Sequence, residues 1–209
     1  DKVPKDSQVQ IVQFNETGGI SRGAGRIVET SVVDLPGDLG SILAFTALAD
    51  INVRGQGAVV LQADKVAGLI MWYDHNTRIG TLLPYPVLRH FIEDAAQPRY
   101  RGFATAGFSW APLIDPAERR YLKVGGHPGG IVVLKVRPGT GAARSLLPQD
   151  VILEWDSCVV DNLGFYNDDE FGRLAFPYLI KGRRYPGDAV DAKIVRNGEL
   201  KTVRVQMTR

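Results

Sequence analysis

Histidine and cysteine side chains do much of the proton transfer and nucleophilic chemistry of proteins near neutral pH. This chain has three histidines and one cysteine in 209 residues. His75 lies in a predicted turn, His90 in a predicted helix, and His127 in a Gly-Gly-His-Pro segment. None is close in sequence to a serine or cysteine motif, whereas a general base must reach the nucleophile that it activates. We therefore expect His75 and His127 to be turn residues and His90 to lie on the polar face of its helix.

Metal and cofactor sites have no clear candidate. The sequence contains neither Cys-x-x-Cys nor His-Glu-x-x-His, the spacings typical of zinc sites. The acidic run at residues 168–170 is expected at the start of a helix, where the helix dipole favours negative charge. The single cysteine, Cys158, lies in an apolar run and is expected to be a small buried thiol. We predict no metal ion and no other cofactor.

A glycine-rich segment at residues 18–25 follows a predicted strand and superficially resembles a phosphate-binding loop. No Gly-Lys-Ser/Thr follows it, and a β-branched run at residues 26–33 stands where the required helix would begin. The segment is therefore interpreted as a hairpin turn.

Length and composition indicate which structural classes of protein the chain can belong to. The length suits one large domain or two small ones, and 44% hydrophobic with 23% charged residues is typical of globular proteins. No apolar run is long enough to span a membrane. The formal net charge is +2, and the basic run Lys181–Arg184 is expected to be a solvated turn rather than a nucleic-acid site.

The sequence pattern of the first half predicts short strands separated by turns, including a turn at residues 35–38. Pro86–Asp94 follows as a helix, with Val87, Leu88, Phe91 and Ile92 predicted on its apolar face. We predict six antiparallel strands that form a small barrel, closed by this helix, over residues 1–97. The strands are expected at 9–14, 26–33, 42–47, 58–61, 66–72 and 79–83.

The second half, residues 98–209, follows a linker at 95–100 and mixes strands with short helices. Strands are predicted at 130–136 and 151–155, and helices at 140–147 and 168–180. Asn197-Gly198 is a strong signal for a two-residue hairpin between strands at 189–196 and 200–207.

This second half resembles a PDZ domain of the HtrA/Deg serine-protease family. Four segments match the family in order: residues 130–133, 138–143, 147–153 and 185–198. The sequence departs from the family pattern at Gln149 and Ser157, which stand where glycines are usual. The resemblance predicts a PDZ-type α/β domain, whose exposed strand edge binds an extended peptide or a protein C-terminus.

The peptide-binding loop of this family has two candidate positions in the chain. One is the segment Tyr100, Arg101, Gly102 and Phe103; the other, a few residues later, is Ala106, Gly107 and Phe108. Both remain open, and core packing is an equal alternative for Phe108 and Trp110.

The first half is similar to the C-terminal β-barrel of the same family's protease domain. Residues 51–61 align without a gap on the family's nucleophile loop, Ile-Asn-Pro-Gly-Asn-Ser-Gly-Gly-Pro-Ala-Leu. Gln56, flanked by Gly55 and Gly57, occupies the position of the nucleophilic serine. In the family, the catalytic histidine and aspartate come from a preceding N-terminal barrel. The resemblance therefore implies no catalytic residues in this chain.

The fold class expected from both resemblances is mainly β: a six-stranded trypsin-like half followed by a PDZ-type domain. The function expected is peptide binding by an inactive protease segment, in a scaffolding, regulatory or quality-control role. The alternatives are an active serine endopeptidase whose catalytic residues lie outside this segment, or a purely structural module. Expected partners are peptides or protein C-termini, a missing N-terminal barrel, other protease subunits or a second copy of the chain. The resemblance also implies an extracytoplasmic (periplasmic) or organellar location.

Overall fold

A computed structural model describes residues 6–35 and 40–209. The predicted turn at 35–38 lies largely outside these residues. The chain divides into two compact units, residues 1–98 and 99–209.

The first unit is a closed antiparallel barrel. Within its described residues, the strand order is β1-β2-β3-β6-β5-β4, and β4 pairs with β1 to close the barrel. This confirms the predicted six-stranded barrel. The strands are β1 (Gln8–Phe14), β2 (Ile20–Asp34), β3 (Ser41–Ala49), β4 (Val59–Gln62), β5 (Lys65–Asp74) and β6 (Ile79–Pro84).

The barrel interior is filled by large apolar side chains from alternate strand positions, as the two-residue period of a strand requires. Its fully buried members include Ile11, Ile27, Leu43, Phe45, Val60 and Leu82. The loop between β3 and β4, which contains Gln56, connects two strands of this barrel.

The glycine-rich segment is only partly a turn. Asn15 Oδ1 accepts hydrogen bonds from the amides of Thr17 (3.1 Å) and Gly19 (2.7 Å), and β2 begins directly afterwards at Ile20. Gly23 is therefore a strand residue, contrary to the predicted hairpin turn over 18–25. A Cβ on Gly23 would lie 2.2 Å from the Ile51 side chain, so close packing explains this glycine.

The predicted helix is present as α1 (Tyr85–Ala95), but its buried face differs from the prediction. Val87, His90 and Asp94 are buried, whereas Phe91 and Ile92 are exposed. The polar-face assignment of His90 was therefore wrong. The buried face of α1 is formed by residues at positions i, i+3 and i+7. Two of these three residues are polar, so the pattern of hydrophobic residues did not predict this face.

The second unit is built on a sheet with the order β14-β13-β9-β8-β7, with β10 paired to β9 and a separate β11-β12 hairpin. The strands are β7 (Phe108–Pro112), β8 (Ile131–Val136), β9 (Val151–Trp155), β10 (Cys158–Val159), β11 (Phe165–Asp168), β12 (Gly172–Ala175), β13 (Ala189–Arg196) and β14 (Glu199–Gln206). The β13-β14 hairpin is confirmed: Asn197 and Gly198 have φ values of 54° and 87°.

The helices of this unit are α2 (Pro116–Tyr121) and α3 (Pro177–Lys181). The sequence analysis missed α2, although Asp115-Pro116 is an ordinary start signal and Asp115 accepts a hydrogen bond from the Ala117 amide at 2.7 Å. The helix predicted over 168–180 was wrong. Gly172 adopts φ 73° within the β11-β12 hairpin, and a helix begins only at Pro177.

The helix predicted at 140–147 is likewise reduced to one 3₁₀ turn, Ala142–Arg144. No helix within residues 6–35 and 40–209 is long and apolar enough to cross a membrane.

Candidate functional site

The loop that contains Gln56 joins β3 to β4 and has no regular secondary structure. Gly55, Gln56 and Gly57 are all exposed. The loop is anchored to β5 at its C-terminal end, where the Gly57 amide donates to the Ile70 carbonyl (2.8 Å) and the Ile70 amide donates to the Ala58 carbonyl (2.9 Å). Gly57 has φ 88°, a left-handed conformation that glycine adopts without strain.

The N-terminal part of the same loop is held by Gln13 of β1, a residue that the sequence analysis did not single out. Gln13 Nε2 donates to the Asn52 carbonyl (3.0 Å), and Gln13 Oε1 accepts from the Arg54 amide (2.9 Å). The Tyr73 hydroxyl adds a bond to the Ile51 carbonyl (3.0 Å). The backbone of this loop is thus bound to side chains of its own barrel.

A pocket of about 360 Å³ lies beside the loop. Its wall combines Gln56, Gly57 and Ala58 with Val12, Phe14 and Ile20 from the first hairpin. Phe14 is 73% exposed and Ile20 is 63% exposed, although both are large and apolar. Arg54 at the pocket forms an ion pair with Glu16 at 2.5 Å.

The histidines are not arranged as general bases. His75 Nδ1 lies 2.8 Å from Asn52 Oδ1, and its ring meets Tyr73 edge-on at 5.1 Å, so its observed partner is an amide rather than a hydroxyl nucleophile. His127 is exposed, and its carbonyl accepts a short hydrogen bond from Arg119. Both are in irregular or turn segments, as expected, and His90 is buried in α1.

In the second unit, residues 100–103 precede the sheet as an irregular segment. Gly102 has φ 84° and lies against Arg209, whose guanidinium also faces the Tyr100 ring at 5.8 Å. The Arg101 guanidinium stacks on Tyr185 at 3.9 Å. The first candidate binding segment therefore lies among cationic and aromatic side chains.

The second candidate segment, Ala106 to Phe108, leads directly into β7. Just before it, Thr105 exchanges two backbone hydrogen bonds with Thr208 (2.7 and 2.9 Å). Gly107 has φ 77°, and its carbonyl accepts from the Arg137 amide at 2.8 Å. A Cβ on Gly107 would lie 2.4 Å from Thr140, so this position is tightly packed. β7 itself stands at the end of the described strand order, with β8 as its neighbour.

An aromatic cluster joins β7 to the start of α3. Phe108 and Trp110 of β7 are half-buried, whereas Trp155 of β9 and Phe176 are fully buried. The Trp155 Nε1 atom has no hydrogen-bond partner in the described part of the chain. The Phe176 ring meets this indole at 80°, with 5.4 Å between centroids.

Two buried carboxylates organise the loops of this unit. Asp168 binds Arg183 Nη2 at 2.6 Å and the Tyr166 hydroxyl at 2.9 Å. Asp150 binds Arg196 at 2.7 and 2.6 Å. The two carboxylate–arginine pairs were not predicted, because their partners are 15 and 46 positions apart in sequence.

The environment of Asp168 favours its charged form. Burial acts against ionisation, but hydrogen bonds from the Glu170 and Phe171 amides, from Tyr166 and from Arg183 outweigh it and lower the pKa of this carboxyl. Burial together with the charge of Asp168 raises the pKa of Tyr166. The acidic run at 168–170 therefore lies at the end of a strand, where Asp168 forms a buried ion pair, and not at the start of a helix as expected.

Metal ligands and the single thiol are the remaining candidate reactive groups. Among residues 6–35 and 40–209, no three histidine, cysteine, aspartate or glutamate side chains cluster as metal ligands would. Cys158 is a free, half-buried thiol rather than a fully buried one. Burial raises the pKa of the Cys158 thiol, which disfavours the reactive thiolate.

No model of a known protein family matches this chain. It is 33% identical over 197 residues to "Protease Do-like 2, chloroplastic" of Arabidopsis thaliana, which covers 91% of this chain and 32% of that protein. It is 26% identical over 164 residues to "Protease Do-like 4, mitochondrial" of the same plant, covering 76% of this chain and 31% of that protein. The chain thus spans about a third of the length of these relatives.

Solved structures agree in fold. The HtrA-type protease AlgW with tripeptide matches 98% of this chain and 66% of its own, with a TM-score of 0.70 and 20% identity. The serine endoprotease from Yersinia pestis matches 100% of this chain and 64% of its own, with a TM-score of 0.58 and 16% identity. At such identities the structural matches establish the fold of the chain.

Proposed function

Because this chain belongs to the HtrA/Deg family of Do-like, trypsin-like proteases, we propose that it is a catalytically inactive segment of that family which binds peptides or protein C-termini. The first unit is then a degenerate trypsin-like half, and the second unit corresponds to the PDZ domain expected over residues 98–209. The role of the segment is scaffolding, regulation or protein quality control. The proposal rests on Gln56, the residue that aligns with the nucleophilic serine of the family's loop motif.

The proposed inactivity follows from the chemistry of the loop. A glutamine side-chain amide is not a nucleophile and cannot be activated by a neighbouring base. In trypsin-like enzymes, the amides of the nucleophile and of the residue two positions before it stabilise the oxyanion. The corresponding residue here is Arg54, and its amide already donates to Gln13 Oε1 at 2.9 Å. One of the two donors is therefore already engaged by a side chain of the same unit.

The proposed peptide binding rests on the edge position of β7. An edge strand offers unpaired backbone groups to which an extended peptide adds as one more strand. Gly102 and Gly107, both with positive φ, precede this strand in the chain, and Arg101 and Arg209 supply positive charge at the segment 100–103 that leads to it. A carboxylate at the peptide terminus suits such a neighbourhood.

Calorimetry with decapeptides tests the binding. We use matched peptides with free and with amidated C-termini, ending in alanine, serine, leucine or phenylalanine. The free-carboxylate form of at least one peptide should bind at least about tenfold more tightly than its amide, because the amide removes a charge-assisted interaction. Absence of binding by every peptide would contradict the proposal.

A serine-directed fluorophosphonate and unfolded casein test the inactivity. We expect neither labelling nor cleavage by the purified chain, since position 56 offers no activatable oxygen. Labelling that persists in a Gln56→Ala variant would locate a nucleophile elsewhere in the chain and would favour the alternative of an active endopeptidase.

A further inference from the structure

The aromatic cluster at β7 bears on which peptides the second unit accepts. Phe176 is fully buried, and its ring centroid lies 6.2 Å from that of Phe108 and 5.7 Å from that of Trp110. Both partners belong to the edge strand. Since both rings contact the same phenylalanine, they lie on one face of β7, whereas Ser109 between them is exposed.

A peptide that extends the sheet at β7 must place alternate side chains on that same face, because side chains alternate along a strand. The site next to Phe108 and Trp110 is therefore where a peptide side chain would enter. In this structure the Phe176 side chain contacts both rings, and it also packs against Trp155 of β9, at 5.4 Å between ring centroids.

Both backbone groups of Phe176, its amide and its carbonyl, are hydrogen-bonded. Its amide donates to the Gly164 carbonyl at 2.8 Å, and its carbonyl accepts from the Leu179 amide at 3.0 Å in α3. Gly164 itself is pressed against Trp110, because a Cβ there would lie 2.4 Å from the indole ring. These contacts restrict movement of the Phe176 side chain away from β7.

We propose that the Phe176 ring occupies the space beside Phe108 and Trp110 and restricts the peptides bound at β7 to those with a small C-terminal residue, such as alanine or serine. Phe176 is in this sense a specificity-determining residue. The inference rests on the proposed peptide binding, and it adds a size limit that the edge strand alone would not impose.

The test compares two decapeptides that are identical except for a final alanine or a final phenylalanine. Fluorescence polarisation gives their affinities for the wild-type chain and for Phe176→Ala. The wild type should prefer the alanine peptide by about tenfold or more, because forcing a large side chain into a filled site is costly. Phe176→Ala should bind the phenylalanine peptide at least about tenfold more tightly than the wild type does.

Val195→Ala is the control for general loosening of the unit. Val195 is buried in a different cluster, with Leu113 and Leu122, so this variant should keep the wild-type preference. Circular dichroism establishes that each variant is folded, and Phe176→Leu replaces Phe176→Ala if the latter is not. The leucine variant should show a smaller shift in the same direction.

The outcomes separate the two claims. If the wild type binds both peptides equally, or if Phe176→Ala and Val195→Ala change the preference alike, the size limit is wrong while peptide binding stands. If neither peptide binds to any folded variant, the proposed function and this inference both fail.

Discussion

Gln13 holds the N-terminal part of the Gln56 loop. Its side chain is both donor and acceptor to the loop, through the Asn52 carbonyl and the Arg54 amide. Because a side-chain amide carries both groups, one glutamine satisfies two backbone groups that would otherwise face water or a ligand.

Replacing Gln13 by alanine should release the Arg54 amide. We expect hydrogen exchange at this amide to quicken by about fivefold, since one net hydrogen bond of about 1 kcal/mol is lost. Gln10→Ala on the same strand is the control, because Gln10 accepts a hydrogen bond from Arg22 and not from the loop. Equal exchange rates in wild type and Gln13→Ala would show that the bond does not protect the amide.

Gln149 is a residue whose type does not suit its backbone conformation. It has φ 72° at a position where the family usually has glycine, and a side chain in this region is strained. Gln149→Gly should therefore raise the free energy of unfolding by about 1 kcal/mol, measured by denaturant titration.

The matched control for this change is Gln206→Gly. Gln206 is an exposed residue of β14 without a positive φ, and glycine there should lower the free energy of unfolding by about 0.5–1 kcal/mol. A loss of stability in Gln149→Gly would mean that other contacts of this side chain outweigh the strain.

At the scale of elements, the Asp168–Arg183 pair connects the end of β11 to the segment that follows α3. The Asp168 side chain is 2% exposed and that of Arg183 is 33% exposed. Asp168→Asn keeps the shape but removes the charge, so we expect it to lower the free energy of unfolding by about 2 kcal/mol at pH 7. Asp161→Asn, at a much more exposed pair with Arg173, should cost less than about 1 kcal/mol.

The pH dependence of the Asp168→Asn effect has a definite sign. The pKa of Asp168 is lowered in the folded chain, so its carboxylate stabilises the fold above the ordinary pKa of about 3.9 and loses this effect as the pH falls through the lowered value. The difference between wild type and Asp168→Asn should be constant from pH 7 to about pH 5 and should shrink below about pH 4. A difference that grows on acidification would contradict this assignment.

At the scale of the whole molecule, each compact unit has its own buried core. Val60 is buried within the barrel, and Val195 within the cluster that contains Leu113 and Val132. We expect Val60→Ala and Val195→Ala each to cost about 2 kcal/mol and to shift different transitions in scanning calorimetry. A single transition that both variants shift equally would argue against two separate folding units.

Much of this architecture could be predicted from sequence where one short-range signal decides it. Alternating apolar residues marked the barrel strands, and Asn197-Gly198 marked the last hairpin. The prediction failed at α1, where His90 and Asp94 take core positions, and at residues 168–180, where helix-like spacing was overridden by the positive φ of Gly172 and by pairing between β11 and β12.

By itself, the sequence determined membership of the protease family, the closed barrel and the identity of residue 56, because each depends on residue type at fixed spacing. Only the tertiary structure decided that Gln13 binds the Arg54 amide, that Asp168 pairs with Arg183 and that Phe176 lies against β7. These contacts join residues 15 to 68 positions apart. No local pattern records such a contact, since it exists only when packing brings distant strands and loops together.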